Sequence, residues 1–267
     1  MASPAQDLGP ALDKDGVRLT VDDAIATVTL TNPAKRNAQS PALWRALTEA
    51  GRLLPGSVRV VVLRAEGKSF SAGLDRQAFT PEGFDGEPSF LDLARGGDAE
   101  LDATIAEYQE AFTWWRRSDI VSVAAVQGHA IGAGFQLALA CDLRVVADDV
   151  QFAMRETSLG LVPDLTGTHP LVRLVGYARA LEICLTGRFV TADEAVSTGL
   201  ANLAVPPAQL DDAVRDLAAA LLGAPRDAVI ETKALLRGAL ERDYEAQRAA
   251  ERAAQARRLR DLAGLGE

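Results

Sequence analysis

Three segments of the chain combine small residues with isolated polar ones. They are Ser69-Phe-Ser-Ala-Gly-Leu-Asp75, then Gly128-His-Ala-Ile-Gly-Ala-Gly-Phe-Gln136, then Phe152-Ala-Met-Arg-Glu156 followed by Leu159-Gly-Leu-Val-Pro-Asp164. A glycine-rich turn presents main-chain N–H groups with no side chain in the way. At a helix N-terminus those groups lack partners and carry partial positive charge. Two such turns converging on one point would form an oxyanion hole, which stabilises negative charge developing on a carbonyl oxygen. On spacing alone, the plainer reading of Ala72-Gly73 and Gly132-Ala-Gly134 as two tight turns is the stronger. Gly128, Gly132 and Gly134 do not fit G-x-G-x-x-G, so a dinucleotide site has little support. Ser71 and His129 could belong to a serine hydrolase, but no nucleophile-elbow sequence accompanies them. No Cys/His cluster has metal-ligand spacing, so neither a metal nor a separate cofactor is expected.

These segments need elements to hold them. Two short strands are expected at residues 17–21 and 24–31, turning at Asp22-Asp23, with polar and apolar residues alternating in the second. Ser40-Pro41 opens a helix, with serine as N-cap and proline at the first helical position. Residues 58–63, 121–127 and 143–147 read as buried strands, being short and largely aliphatic. Helices are expected over 99–117 and 135–141, and 66–98 shows no periodicity. Strand–helix–strand order points to an α/β fold with parallel crossovers. Beyond residue 168 the chain reads as helical: 169–185 as one helix, a capping box at Thr191-Ala-Asp-Glu194, then 208–222, 227–240 and 244–265.

Composition narrows the classes. The 267 residues are 48% hydrophobic and carry 28 Lys plus Arg against 37 Asp plus Glu, a net charge of −9. That excludes a general nucleic-acid binder but not an anionic ligand held by a local basic cluster. Cys141 and Cys184 lie in apolar runs and read as thiols of a reducing compartment. The N-terminus has no basic start followed by an apolar core, and no run reaches membrane-spanning length, so a cytoplasmic protein without a membrane span is expected.

Taken together, the segments resemble the crotonase superfamily, the enoyl-CoA hydratase/isomerase family, over about residues 17–265. The resemblance rests on Lys35-Arg-Asn-Ala38, Phe70-Ser-Ala-Gly-Leu-Asp75, Ala125-Val-Gln-Gly-His-Ala-Ile-Gly-Ala-Gly134, Ala140-Cys-Asp-Leu-Arg144, and Glu156 with Gly160-Leu-Val-Pro163. It implies a spiral of stacked ββα units over 17–206 after a loose lead-in at 1–16. A helical region over 207–267 would assemble homotrimers or homohexamers, with Leu217, Leu221, Leu235 and Leu236 as its apolar face. The implied ligand is an acyl-CoA thioester, with coenzyme A as part of the substrate. Leu74 and Ala133 match the family's oxyanion positions, acting through backbone N–H. The stretch holding Ser71, Ala72 and Asp75 would line the adenine and pantetheine path, and Arg36 would face the CoA phosphates. Arginines of the last helix (Arg248, Arg252, Arg257, Arg258, Arg260) could reach a neighbour's CoA site.

Hydratases of the family use two glutamates twenty positions apart. Here the second is Glu156, but the first is Gln136, which can orient water and cannot accept a proton. Asp164 stands where the family's dienoyl-CoA isomerases have an aspartate, eight residues after the glutamate. The resemblance therefore implies catalysis by Glu156 with Asp164 and Gln136, and double-bond isomerisation is the preferred reaction. The alternatives are 2-enoyl-CoA hydration, a non-catalytic acyl-CoA binder, and thioester hydrolysis or dehalogenation with Asp164 as nucleophile.

Overall fold

The computed structural model describes residues 11–84 and 86–265. Its largest sheet has seven strands: β1 (Leu12–Lys14), β2 (Val17–Asp22), β3 (Ile25–Leu30), β4 (Val60–Ala65), β5 (Val121–Val126), β7 (Leu143–Ala147) and β10 (Leu203–Val205), in that spatial order. The hairpins β1–β2 and β2–β3 are antiparallel; from β3 to β10 every pair is parallel. A second sheet of three strands, β6 (His129–Ile131), β8 (Gln151–Ala153) and β9 (Val190–Thr191), is ordered β6-β8-β9. The helices are α1 (Pro41–Arg52), α2 (Phe90–Leu93), α3 (Asp98–Thr113), α4 (Ala133–Ala140), α5 (Thr168–Val175), α6 (Tyr177–Thr186), α7 (Ala192–Ser197), α8 (Leu210–Gly223), α9 (Arg226–Gly238) and α10 (Tyr244–Leu262).

The parallel strands are buried on both faces, which is why they read as unbroken aliphatic runs. Val61, Leu63, Ala124, Val126 and Val146 point into the main core with α1, α3 and α4. Val60, Val62, Val123, Ala125 and Val145 meet Leu210, Val214 and Ala218 of α8. Leu217 and Leu221 join that second layer, so this part of the expected intersubunit face is turned onto the chain's own sheet. At the start of α1, the Ser40 hydroxyl accepts from Leu43 N–H and Pro41 occupies the first turn, as expected.

Several sequence expectations need correction. Part of the lead-in is ordered: Leu12–Lys14 pairs with Val17–Leu19, while residues 1–10 lie outside the described chain. The helix expected over 169–185 is two helices, broken at Gly176, whose φ of 78° places it outside helical space. Thr191 does precede α7, but no side-chain capping bond forms. Glu194 instead faces Arg179 and Arg188. Strand β10 extends the large sheet at 203–205, within the range of the ββα units but where no strand is expected.

Candidate active site

Two backbone segments meet where the small residues predicted they could. Ser71 pairs with Ala130, with Ser71 N–H donating to His129 O and Ile131 N–H to Ser71 O. The approach is too tight for side chains. A Cβ on Gly73 would stand 2.5 Å from Ile131 O, and one on Gly134 would stand 2.7 Å from Ser71 Cβ. The same Gly73 position is 3.6 Å from Ala133 N. These glycines are more than tight turns: they let two chains interlock. Ala133 is the first residue of α4, and its N–H has no partner among the described residues; neither has the N–H of Leu74. On the other edge of the Leu74 segment, Gln39 N–H donates to Gly73 O and Asp75 N–H to Gln39 O. Leu74 N–H is thereby left facing away from that bridge.

Glu156 arrives from the other side. It opens the short turn after β8 and is 8% exposed. A Cβ on Gly132, the residue before Ala133, would lie 3.3 Å from Glu156 Oε1, so the carboxylate flanks the start of α4. Gln136 Nε2 donates to Glu156 Oε1 at 2.6 Å. Gln136 Oε1 accepts from Leu165 N–H at 2.9 Å and Gly167 N–H at 3.2 Å. Glu156 Oε2 is buried and has no hydrogen-bond partner among the described residues. Burial pushes the Glu156 carboxyl above its ordinary range and the charge of Asp164 adds to this, against hydrogen bonds from Gln136 and the local backbone. Asp164 is on an exposed turn, yet surrounding protein also pushes its carboxyl upward. The turn is tied down by Gln109 Nε2, which donates to Asp164 O at 2.6 Å. The Cys184 thiol, raised by burial and by the charge of Glu156, is a neighbour that the sequence did not single out.

The expected CoA-contacting residues divide into two groups. Ser71 is fully buried, and its hydroxyl donates to Asn37 O at 2.7 Å while accepting from Gly73 N–H and Gln39 Nε2. It builds the loop. Ala72 N–H donates to Arg36 O, which leaves the Arg36 side chain exposed on a left-handed backbone (φ 52°). Asp75 caps the turn Arg76–Phe79 and pairs with Lys35 at 3.0 Å. Burial raises its carboxyl, but the Gln77 N–H and Lys35 outweigh that and hold it below the usual range. Lys35 is the cation that sequence reasoning passed over, although it heads one of the quoted blocks. On α10, Arg248 pairs with Glu245, Arg257 with Glu231, and Arg258 with Asp227 and Asp261, so three of the five arginines have partners in their own chain.

Residues 20–261 match the family model described as enoyl-CoA hydratase/isomerase. The chain belongs to that family. Among its relatives, the human mitochondrial Delta(3,5)-Delta(2,4)-dienoyl-CoA isomerase is 33% identical over 233 residues, covering 85% of this chain and 70% of the relative. Carnitinyl-CoA dehydratase of Salmonella arizonae is 35% identical over 226 residues, covering 84% and 80%. A Thermobifida fusca YX chain solved in complex with CoA superposes with a TM-score of 0.89 at 50% identity, covering 93% of this chain and 95% of that one. The α/β crotonase fold expected of the family, with its central sheet and C-terminal helices, is the fold observed. The family acts on acyl-CoA, and its members named here carry out different reactions on such thioesters.

Proposed function

We propose that this enoyl-CoA hydratase/isomerase family member moves the double bond of an enoyl- or dienoyl-CoA, with Glu156 as the proton carrier. The observation that carries this reading is Glu156 Oε2, buried and unpartnered beside the residue that precedes an unpaired helix-terminal N–H. The thioester oxygen would lie between Leu74 N–H and Ala133 N–H. Loss of a proton from C2 to Glu156 Oε2 leaves an enolate whose negative charge those two N–H groups stabilise. For a 3-enoyl-CoA, the same proton delivered to C4 leaves the 2-enoyl-CoA and regenerates the carboxylate. In a conjugated diene the second carbon lies farther along the chain, and Asp164 supplies a second acid/base group. Its raised carboxyl suits that role, since a group titrating nearer neutrality can both give and take a proton. Gln136 brings no acid or base of its own, which weighs against hydration by two carboxylates. We read Lys35 and Arg36, exposed next to the Ser71–Asp75 segment, as the cations that meet the CoA phosphates, and the acting unit as a homotrimer or homohexamer.

The test compares turnover of a 3-enoyl-CoA, a 3,5-dienoyl-CoA and crotonyl-CoA. Isomerisation should exceed hydration in the wild type. Glu156→Gln should reduce it by roughly 10²–10⁴ while CoA-ester binding changes little, because the N–H donors stay in place. Asp164→Asn should cost the dienoyl reaction more than the enoyl one. Brisk hydration of crotonyl-CoA with slow isomerisation would replace this reading by 2-enoyl-CoA hydratase. Tight binding with no turnover of any of the three would leave an acyl-CoA binder.

A further inference from the structure

Gln136 is 1% exposed and every contact its amide makes is directional. Leu165 N–H and Gly167 N–H can only donate, so the atom facing them is the carbonyl oxygen. The amino group must then point at Glu156, where it meets Oε1 at 2.6 Å. The amide cannot turn over without setting its NH2 against two N–H donors and its oxygen against a carboxylate. Oε1 of Glu156 is thus occupied, and Oε2 is left without a partner. The two donors bracket Thr166, a β-branched residue at φ 66°, a conformation that persists only where its surroundings enforce it. A Cβ on Gly167 would lie 2.6 Å from Gln136 Cγ, so the turn is pressed directly onto the glutamine. Asp164 immediately precedes this clamped stretch.

We propose that Gln136 is a positioning residue, not a water holder: it selects Oε2 of Glu156 as the proton-carrying atom and locks the Asp164 turn to it. The proposal rests on Glu156 being the base of the proposed reaction. It assigns this chain's departure from the two-glutamate pattern a definite role. A glutamate at position 136 could still accept from Leu165 and Gly167, but its second oxygen would be an acceptor facing Oε1 of Glu156. One proton would have to be shared between the two carboxylates. The other titratable group acting on Glu156 is the Asp164 carboxylate, and the charge of Glu156 in turn acts on the Cys184 thiol on α6. Among the described residues no lysine or arginine pairs with it.

The test reads Glu156 directly, without substrate. Carboxyl carbon NMR of labelled protein, with the Glu156 signal assigned by its loss in Glu156→Gln, follows its titration in wild type, Gln136→Glu and Gln136→Met. Removing the amide donor should move the Glu156 titration upward by about one pH unit or more, the worth of one hydrogen bond to a charged group. Gln136→Glu should replace the single titration by two steps that belong to the pair. The pH profile of kcat should follow these shifts, with KM for the CoA ester little changed. A titration of Glu156 that is the same in all three proteins overturns the proposal, since a purely structural role would alter stability and leave the titration where it was. Should Gln136→Met not fold, the Glu variant, which keeps an acceptor for both turn N–H groups, decides alone. Failure of every enoyl-CoA to turn over would defeat the proposed reaction and leave the titration result standing.

Discussion

At Glu156 a chemical need and a stability cost meet in one carboxylate. Burial raises its pKa, so the native state binds this proton more tightly than the unfolded chain does. The stability that comes with the protonated form is whole below the unfolded pKa and is lost as pH rises through the raised native value. At neutral pH the ionised carboxylate therefore destabilises the fold, the opposite of a salt-bridged acid. Glu156→Gln removes the charge and still offers an oxygen to Gln136 Nε2. The variant should thus unfold at higher urea than wild type near neutral pH, and the difference should vanish by about pH 4, the ordinary range of a glutamate. Urea midpoints across that range check it; a variant less stable than wild type at neutral pH would mean that the carboxylate is better compensated than its bare Oε2 indicates. Such a trade, stability given up for a reactive group, is expected at a site built for proton transfer.

Helix α4 is eight residues long and wholly buried, and its two ends have opposite tasks. The N-terminal end leaves Ala133 N–H bare. At the C-terminal end, Arg144 donates to Ala138 O and Cys141 O, and Arg116 to Leu139 O and Ala140 O. Two guanidiniums thus gather four consecutive carbonyls, and cations are favourable there because of the helix dipole. Arg144 is buried, and burial lowers it to about 10, still well above neutrality. Arg144→Met would strip donors from several buried carbonyls at once and should cost on the order of 3 kcal/mol of stability. Denaturant unfolding checks this, and a loss below about 1 kcal/mol would show that water replaces the guanidinium. These pairings also mark what the sequence could convey. Long aliphatic strands and the Ser40-Pro41 start were legible because each has a residue-type signature. Strands β6, β8 and β9, at two or three residues, are too short to show a period. The break at Gly176 was masked because apolar spacing resumes on both sides of it. Glu156, Gln136 and the two small-residue turns were visible as site candidates. Gln136's partners were not, since the N–H groups of Leu165 and Gly167 belong to backbone and leave no mark in residue type.

On the scale of the whole molecule, exposed apolar surface divides between the C-terminal helices, where the sequence placed it, and a second stretch before them. The α8 leucines Leu217 and Leu221 are turned onto the sheet, although Leu236 of α9 is exposed. Leu240 after α9 and Tyr244, Leu259 and Leu262 of α10 are exposed too, and a second set lies along an earlier stretch of chain: Leu159, Leu161 and Val162 after Glu156, Val172 on α5, then Tyr177, Leu181 and Leu185 on α6. Among the described residues no helix is long and apolar enough to cross a membrane, so a bilayer-spanning helix does not account for this face. Monomers rarely expose large contiguous apolar patches, and those that do use them for binding. Asp164 lies within this stretch and Glu156 just before it, so a partner seated there would exclude water from around Asp164 and strengthen the electrostatics between the two carboxylates. We expect self-association through this face at three or six times the 28.3 kDa of the chain. Val162→Asp with Tyr177→Asp should shift sedimentation toward the monomer, because each exposed apolar contact would become a buried charge without a partner. Turnover of the acyl-CoA ester should fall along with assembly, and raising the protein concentration should restore both together. A wild-type chain that sediments as a monomer at micromolar concentration would refute this. So would a double variant that assembles normally, since the contact would then lie elsewhere on the surface.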